Sequence, residues 1–348
     1  MLEQSLFGKT RDGKEGIVIY SLSNEKGLRA EVMNYGAILM NLYVPNKRGR
    51  VEDITPGYDR LEKYFSNSNF FGASVGPIAN RTANASFELD GKTYKLDVND
   101  GENNLHTHFD KGFHKRMFQP KPDFENSSVT FTLTMEDGEL GLPGNREFSI
   151  TYSVNEDNEF RIDYKCTTDK KTIFNPTNHS YFNLKGHDYE NVLDEVLWLN
   201  CSKFTEIAPG AIPTGKLLDV KGTPLDFTKP TPLGRRILSR NPQMRMVKGY
   251  DHNFVSDAPA GKLEKIAVLS DKRAGRTMEV YTDMPGIQVY TANHVARHKG
   301  KCNALYKKRC AVALETQFFP NSANDPNFTK PIVEPGKPFH STTIYKFV

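Results

Sequence analysis

The sequence predicts an all-β chain folded as a large antiparallel β-sandwich, on three observations. Short runs in which apolar and polar residues alternate recur from one end to the other. Gly, Pro and Asn punctuate these runs at fairly regular spacing, and helical periodicity is almost absent.

In chain order, Gly16 to Tyr20, Ala30 to Val32 and Ile38 to Val44 are short β-rich runs separated by turn residues. The best short helical candidate, Arg60 to Phe65, is about a turn and a half long. Ser86 to Leu89 and Lys92 to Leu96 flank Asp90-Gly91, the signature of a type I′ hairpin. Val129 to Met135 alternates cleanly, as do Phe148 to Val154 and Phe160 to Cys166 across the turn Asp157-Asn158. Further strands are expected at Val196 to Leu199, Met278 to Thr282, Ile287 to Thr291, Cys310 to Glu315 and Thr343 to Val348. No Ser-rich or Pro-rich linker interrupts the 348 residues, so a single domain over 1–348 is expected.

Charged residues make up 25% and apolar ones 37%, as in globular chains, and the formal net charge is only +4. That balance argues against nucleic acid or an anionic membrane as partner. The densest basic stretch, Arg297 to Arg309, has only Tyr306 among its charges and reads as a solvated loop. Neither a signal peptide nor an apolar run of the ~20 residues a membrane helix needs is visible. Cys166, Cys201, Cys302 and Cys310 lack metal-ligand spacing, so free thiols and a cytoplasmic location are expected.

Polar clusters at strand ends are what alternation leaves unexplained. They lie at Ala79-Asn80-Arg81, Asn104-Leu105-His106-Thr107-His108, Asn178-His179-Ser180-Tyr181-Phe182-Asn183-Leu184, Asp251-His252-Asn253-Phe254, Gly286-Ile287-Gln288 and Leu314-Glu315-Thr316-Gln317. Each mixes apolar surface with directional hydrogen-bonding groups, as a polyhydroxylated ligand requires; each could also simply cap turns. There is no GxSxG and no GxGxxG. Gly210 to Lys216 has phosphate-loop spacing, but Leu217 follows where Ser or Thr should stand. His106, His108 and His114 could in principle ligate a metal, although no carboxylate accompanies them at a telling spacing. No metal or cofactor is expected.

Taken together and in this order, the segments resemble the aldose 1-epimerase (galactose mutarotase) family, from Asn34-Tyr35-Gly36-Ala37 to Pro335-Gly336. The resemblance implies a large antiparallel β-supersandwich and interconversion of the α and β anomers of free aldoses such as galactose or glucose. It implies Glu315 as general base toward the C1 hydroxyl and His179 as general acid toward the ring oxygen. His106 would hydrogen-bond near that oxygen, Asn80, Arg81 and Asp251 would hold hydroxyls, and Gln288 would add a polar contact. The partner would be a small sugar, with the chain a monomer or homodimer.

Mutarotation moves one proton off an oxygen and another onto a second oxygen, so a carboxylate and an imidazole suffice. The family's usual His-Gly-Gly reads His106-Thr107-His108 here, and its Gly-Phe-Asp-Lys reads Gly112-Phe113-His114-Lys115. These departures border the sugar pocket and bear on substrate preference. A phosphosugar epimerase, a silent sugar-binding protein and a glycoside hydrolase using Asp251 with Glu315 are the competing readings.

Overall fold

A computed structural model describes residues 1–348. Its largest sheet has nine strands, in the order Gln119–Asp123, Ser128–Met135, Arg146–Val154, Glu159–Thr168, Phe339–Phe347, Arg276–Thr282, Glu264–Asp271, Val196–Leu199 and Thr231–Pro232. A six-stranded sheet runs Tyr181–Phe182, Val312–Gln317, Gly286–Tyr290, Asp251–Val255, Lys203–Ile207, Pro213–Asp219. The N-terminal residues form a third sheet of five strands, from Leu2–Lys9 to Val51–Asp53. Neighbouring strands in the two larger sheets are antiparallel.

Alternation builds the sandwich. In Arg146–Val154 every second side chain is buried, including Phe148, Ile150 and Tyr152. These join one continuous cluster of 53 buried residues that also takes in Leu314, Val289 and Phe254 from the six-stranded sheet and Leu22 and Leu42 from the N-terminal one. Contacts across the layers are direct. The Tyr345 hydroxyl donates to the Leu314 carbonyl oxygen at 3.0 Å, the Phe182 and Tyr345 rings lie 4.9 Å apart, and the Tyr152 hydroxyl donates to Ala37 O at 2.7 Å.

The expected strands are present, and so is the short helix, at Leu61–Ser66. Asp90 and Gly91 both have positive φ, 51° and 75°, as a type I′ turn demands. Asp251 to Phe254, read from the sequence as a polar cluster, lies within a central strand, Asp251–Val255. No helix is long and apolar enough to cross a membrane.

Val312–Gln317 is buried at all six positions because both of its faces are covered. Val312 and Leu314 point into the main core, and Thr316 meets Thr343 of the nine-stranded sheet at 2.5 Å. Ala313 and Glu315 therefore point the other way, Ala313 into a second buried cluster and Glu315 into a cavity on the outer face of the six-stranded sheet.

Candidate active site

Sheet register sets the floor of that cavity. Glu315 pairs with Gln288 and Gln288 with Asn253; two residues along, Tyr181, Ala313, Tyr290 and Asp251 form a parallel row. Asp251, Tyr290, Tyr181 and Glu315 line the cavity, whose volume is about 910 Å³. Gln288 does not line it. Its Nε2 donates to Asp251 Oδ1 at 2.7 Å, so it positions that carboxylate from one row back.

His179 comes from a different ladder. It ends the strand Thr177–His179, opposite Ala73, and shares a side with Tyr181 two residues on. Its Nε2 stands 3.7 Å from Glu315 Oε1, beyond hydrogen-bonding range. Glu315 Oε2 and His179 Nδ1 are buried without a partner. Burial is the main cause of both titration shifts. It pushes the Glu315 carboxyl well above the usual range, with the Asp251 charge adding to the effect and Arg81 opposing it. It pushes His179 down to about 4.

Asn80 and His106 hold each other. The Asn80 N–H donates to His106 Nδ1 at 3.1 Å, and the His106 N–H donates to Asn80 O at 3.0 Å. Both residues have positive φ, 60° and 55°, a region that Asn and His enter more readily than most. A ring nitrogen that accepts an N–H carries no proton, so Nε2 of neutral His106 is a donor. Burial keeps this ring neutral, lowering its pKa far below the ordinary value, helped by His179, Arg81 and His114. Arg81 follows Asn80, lines the cavity, and is anchored through Nε to Asp100 Oδ2 at 2.8 Å.

The family-atypical positions have structural explanations. Thr107 adopts φ 65°, a conformation that favours glycine. Its hydroxyl accepts from the Ile78 N–H at 2.8 Å and donates to Ile78 O at 2.9 Å, bonds a glycine could not make. His114 is buried away from the cavity, its Nε2 2.9 Å from the carbonyl oxygen of Phe109, and burial pushes it down to about 3. His108 Nδ1 accepts from the Asp110 N–H at 3.0 Å. The three imidazoles thus serve three separate local bonds.

Phe70 was not singled out from the sequence. Its ring lines the cavity 4.8 Å from His106 and 5.9 Å from His179, nearly parallel to the latter at 22°, while His114 packs against it at 4.6 Å. His294, also not anticipated, lines the cavity too, its N–H donating to the Tyr290 hydroxyl at 3.0 Å. Both sit in loops without periodicity; the aromatic pair Phe70-Phe71 ending the polar run Ser66 to Asn69 was the available signal.

A β-sandwich with a buried carboxylate and imidazole facing each other, ringed by Asp251, Arg81 and His106, defines a class: enzymes that move protons on a polar ligand held in a half-apolar cleft. The comparisons narrow it. Residues 18–346 match the family model described as aldose 1-epimerase, and the chain belongs to the aldose 1-epimerase family. It is 36% identical over 347 residues to the galactose mutarotase of Bos taurus, covering 99% of this chain and 98% of that one. It is 34% identical to the aldose 1-epimerase of Haemophilus influenzae over the full length of both. Among solved structures it is similar to galactose 1-epimerase from Lactobacillus acidophilus, with TM-score 0.87, 26% identity, and 100% and 98% of the two chains covered. The chain is a carbohydrate isomerase of the mutarotase type.

Proposed function

We propose that Glu315 and His179 open and reclose the ring of a free aldose, with galactose and glucose as the first substrates to test. The observation that carries this is the 3.7 Å approach of His179 Nε2 to Glu315 Oε1 inside a cavity shared with Asp251, Arg81 and His106. The C1 hydroxyl oxygen and the ring oxygen are bonded to the same carbon, so a base and an acid this close can serve both.

Glu315 takes the C1 hydroxyl proton as the bond from C1 to the ring oxygen breaks, and His179 delivers a proton to that oxygen. The open aldehyde rotates about C1–C2. His179 then recovers its proton as the oxygen attacks the other face of the carbonyl, and Glu315 returns its own to O1. Each group contributes ~10²–10⁴-fold.

The electrostatics suit this cycle. Burial favours neutral Glu315 and neutral His179, with the one shared proton on the carboxyl. That is the distribution the pair reaches once the ring has opened. The reactive distribution, anionic Glu315 with cationic His179, carries the same number of protons and is supported at the carboxylate by Arg81. His106 Nε2–H faces a neighbouring oxygen as a neutral donor, while Asp251 and Arg81 fix hydroxyls through charge-assisted hydrogen bonds.

The same reading places the enzyme in the cytosol as one domain, monomeric or dimeric. Its support is that Cys166, Cys201, Cys302 and Cys310 are all free thiols and that the main core draws on both ends of the chain, from Leu2 to Phe347. Polarimetry of freshly dissolved α-D-galactose and α-D-glucose tests the reaction: rotation relaxing no faster than in buffer would end the epimerase reading.

A further inference from the structure

The cavity is more than one pyranose ring requires: about 910 Å³ is near the top of the ~300–1,000 Å³ that suits drug-sized ligands. Two sets of residues line it. The buried set is the one described above. The other lies nearer the rim and comes from two segments, around 58–69 and 296–303, that supply none of the acid–base or hydroxyl-binding groups.

This outer set is cationic. Lys63 and Lys299 line it, and neither has a carboxylate within 4.0 Å. Arg60 lines it as well, with Glu62 at 3.5 Å. The one carboxylate among these lining residues, Asp59, is occupied, accepting the Cys302 N–H at 2.5 Å.

The wall is built into the fold. Lys301, next but one to Lys299, turns inward, and its ammonium donates to Asp53 Oδ2 at 2.6 Å, to Thr55 O at 2.7 Å and to Met40 O. His298 packs against Tyr58, Phe71 and Tyr306 with ring centroids 6.0, 5.7 and 5.8 Å away, and its Nδ1 lies 2.7 Å from the Ala296 carbonyl oxygen. A carbonyl oxygen only accepts, so Nδ1 carries a proton. His298 Nε2 is left buried and without a partner at a residue that lines the cavity. With the proton on Nδ1, Nε2 is an acceptor, suited to a sugar hydroxyl.

We infer that this outer part of the cavity binds an anionic group, carboxylate or phosphoryl, carried by an aldose at the end remote from C1. Lys63 and Lys299 supply the charge, with Arg60 beside them, while Glu315 and His179 act on C1 as before. The inference rests on the epimerase reading, which it extends from neutral sugars to anionic ones.

The test compares anomerisation of galactose, glucose, galacturonate and glucose 6-phosphate, with a neutral reducing disaccharide alongside. The two anionic sugars separate carboxylate from phosphoryl recognition. The better of them is expected to show a KM roughly tenfold below its neutral parent, as charge-assisted bonds produce. That advantage should shrink with added salt and vanish in the Lys63→Ala/Lys299→Ala double variant, with galactose turnover as the internal control. Equal KM values for anionic and neutral sugars in the wild type, or an advantage that survives in the double variant, would overturn the inference while leaving the epimerase intact. A disaccharide preferred over both anions, insensitive to salt, would assign the space to a second sugar ring instead. If no sugar turns over, the epimerase reading fails by itself, and titration calorimetry with the same sugars reads the charge preference without catalysis.

Discussion

Nε2 of His179 stands 3.7 Å from Oε1 of Glu315, with 7% and 3% of their side chains exposed. Two independent backbone ladders hold the pair, Thr177–His179 on Ala73–Val75 and Val312–Gln317 on Gly286–Tyr290. Neither group has to travel to reach the other's side of a ring C–O bond.

Glu315→Gln keeps the size and hydrogen-bonding reach of the side chain and removes its basicity. The expected result is a fall in kcat of at least ~100-fold with little change in KM. Polarimetric progress curves over a galactose series measure both. A variant within a few-fold of wild type would take the base role away from Glu315.

Arg81 lowers the Glu315 carboxyl against the larger upward effects of burial and Asp251. In Arg81→Met the carboxyl holds its proton to higher pH, and the base form is populated later. The acidic limb of the kcat/KM profile is expected to move to higher pH, with weaker substrate binding at every pH. An acidic limb that stays in place would mean the arginine acts on substrate hydroxyls alone.

Gln288 reaches the cavity only through Asp251, to which it donates at 2.7 Å. Gln288→Leu is expected to raise KM about tenfold, the worth of a hydrogen bond to a charged group, with kcat nearly preserved. Gln288→Glu should do worse, because it sets a second carboxylate against Asp251. A kcat defect equal to the KM defect would point to direct contact with the reacting atoms.

His114 is buried and held down to about 3, against 6.5 for a free histidine. Between those values the unfolded chain takes up a proton at this residue that the folded chain does not, so the contribution to stability is present above pH 6.5 and is lost as pH falls toward 3. His114→Gln removes that proton. Whatever the variant loses at neutral pH, its deficit relative to wild type is expected to shrink by about 1.4 kcal/mol per pH unit on going from pH 6 to 4. Urea unfolding at a series of pH values reads the slope, and parallel curves would refute the assignment.

Strands with one dry face and one wet face were legible, and Arg146–Val154 shows why: its burial follows its sequence alternation residue by residue. Strands escaped notice where that link breaks. Leu2–Lys9 has a single buried residue, and Pro213–Asp219 is likewise mostly exposed, so neither needs a hydrophobic period. In Glu264–Asp271 a bulge between Lys265 and Ala267 puts Ile266 and Ala267 side by side in the core and spoils the alternation. In the site, Glu315, His179, His106, Asn80, Arg81 and Asp251 were legible because motifs carry them. Gln288 was found by motif but its place one row behind the cavity was not, since that depends on which strand lies next to which. Phe70, Lys63 and His298 come from separate segments that only the folded chain brings to one cavity.

The two-faced burial of Val312–Gln317 divides this strand between two kinds of selection. Val312, Leu314 and Thr316 face the main interior and Ala313 a second buried cluster, and these answer to folding, whereas Glu315 lines the cleft and answers to turnover. Abundance and activity scored separately for every substitution along these six positions would single out Glu315 as the position where activity falls furthest for the least loss of abundance. A register shift of the strand by one position would present Leu314 to the cavity and sink Glu315 into the core. The ladder pairing Glu315 with Gln288 is what fixes the face on which this carboxylate emerges.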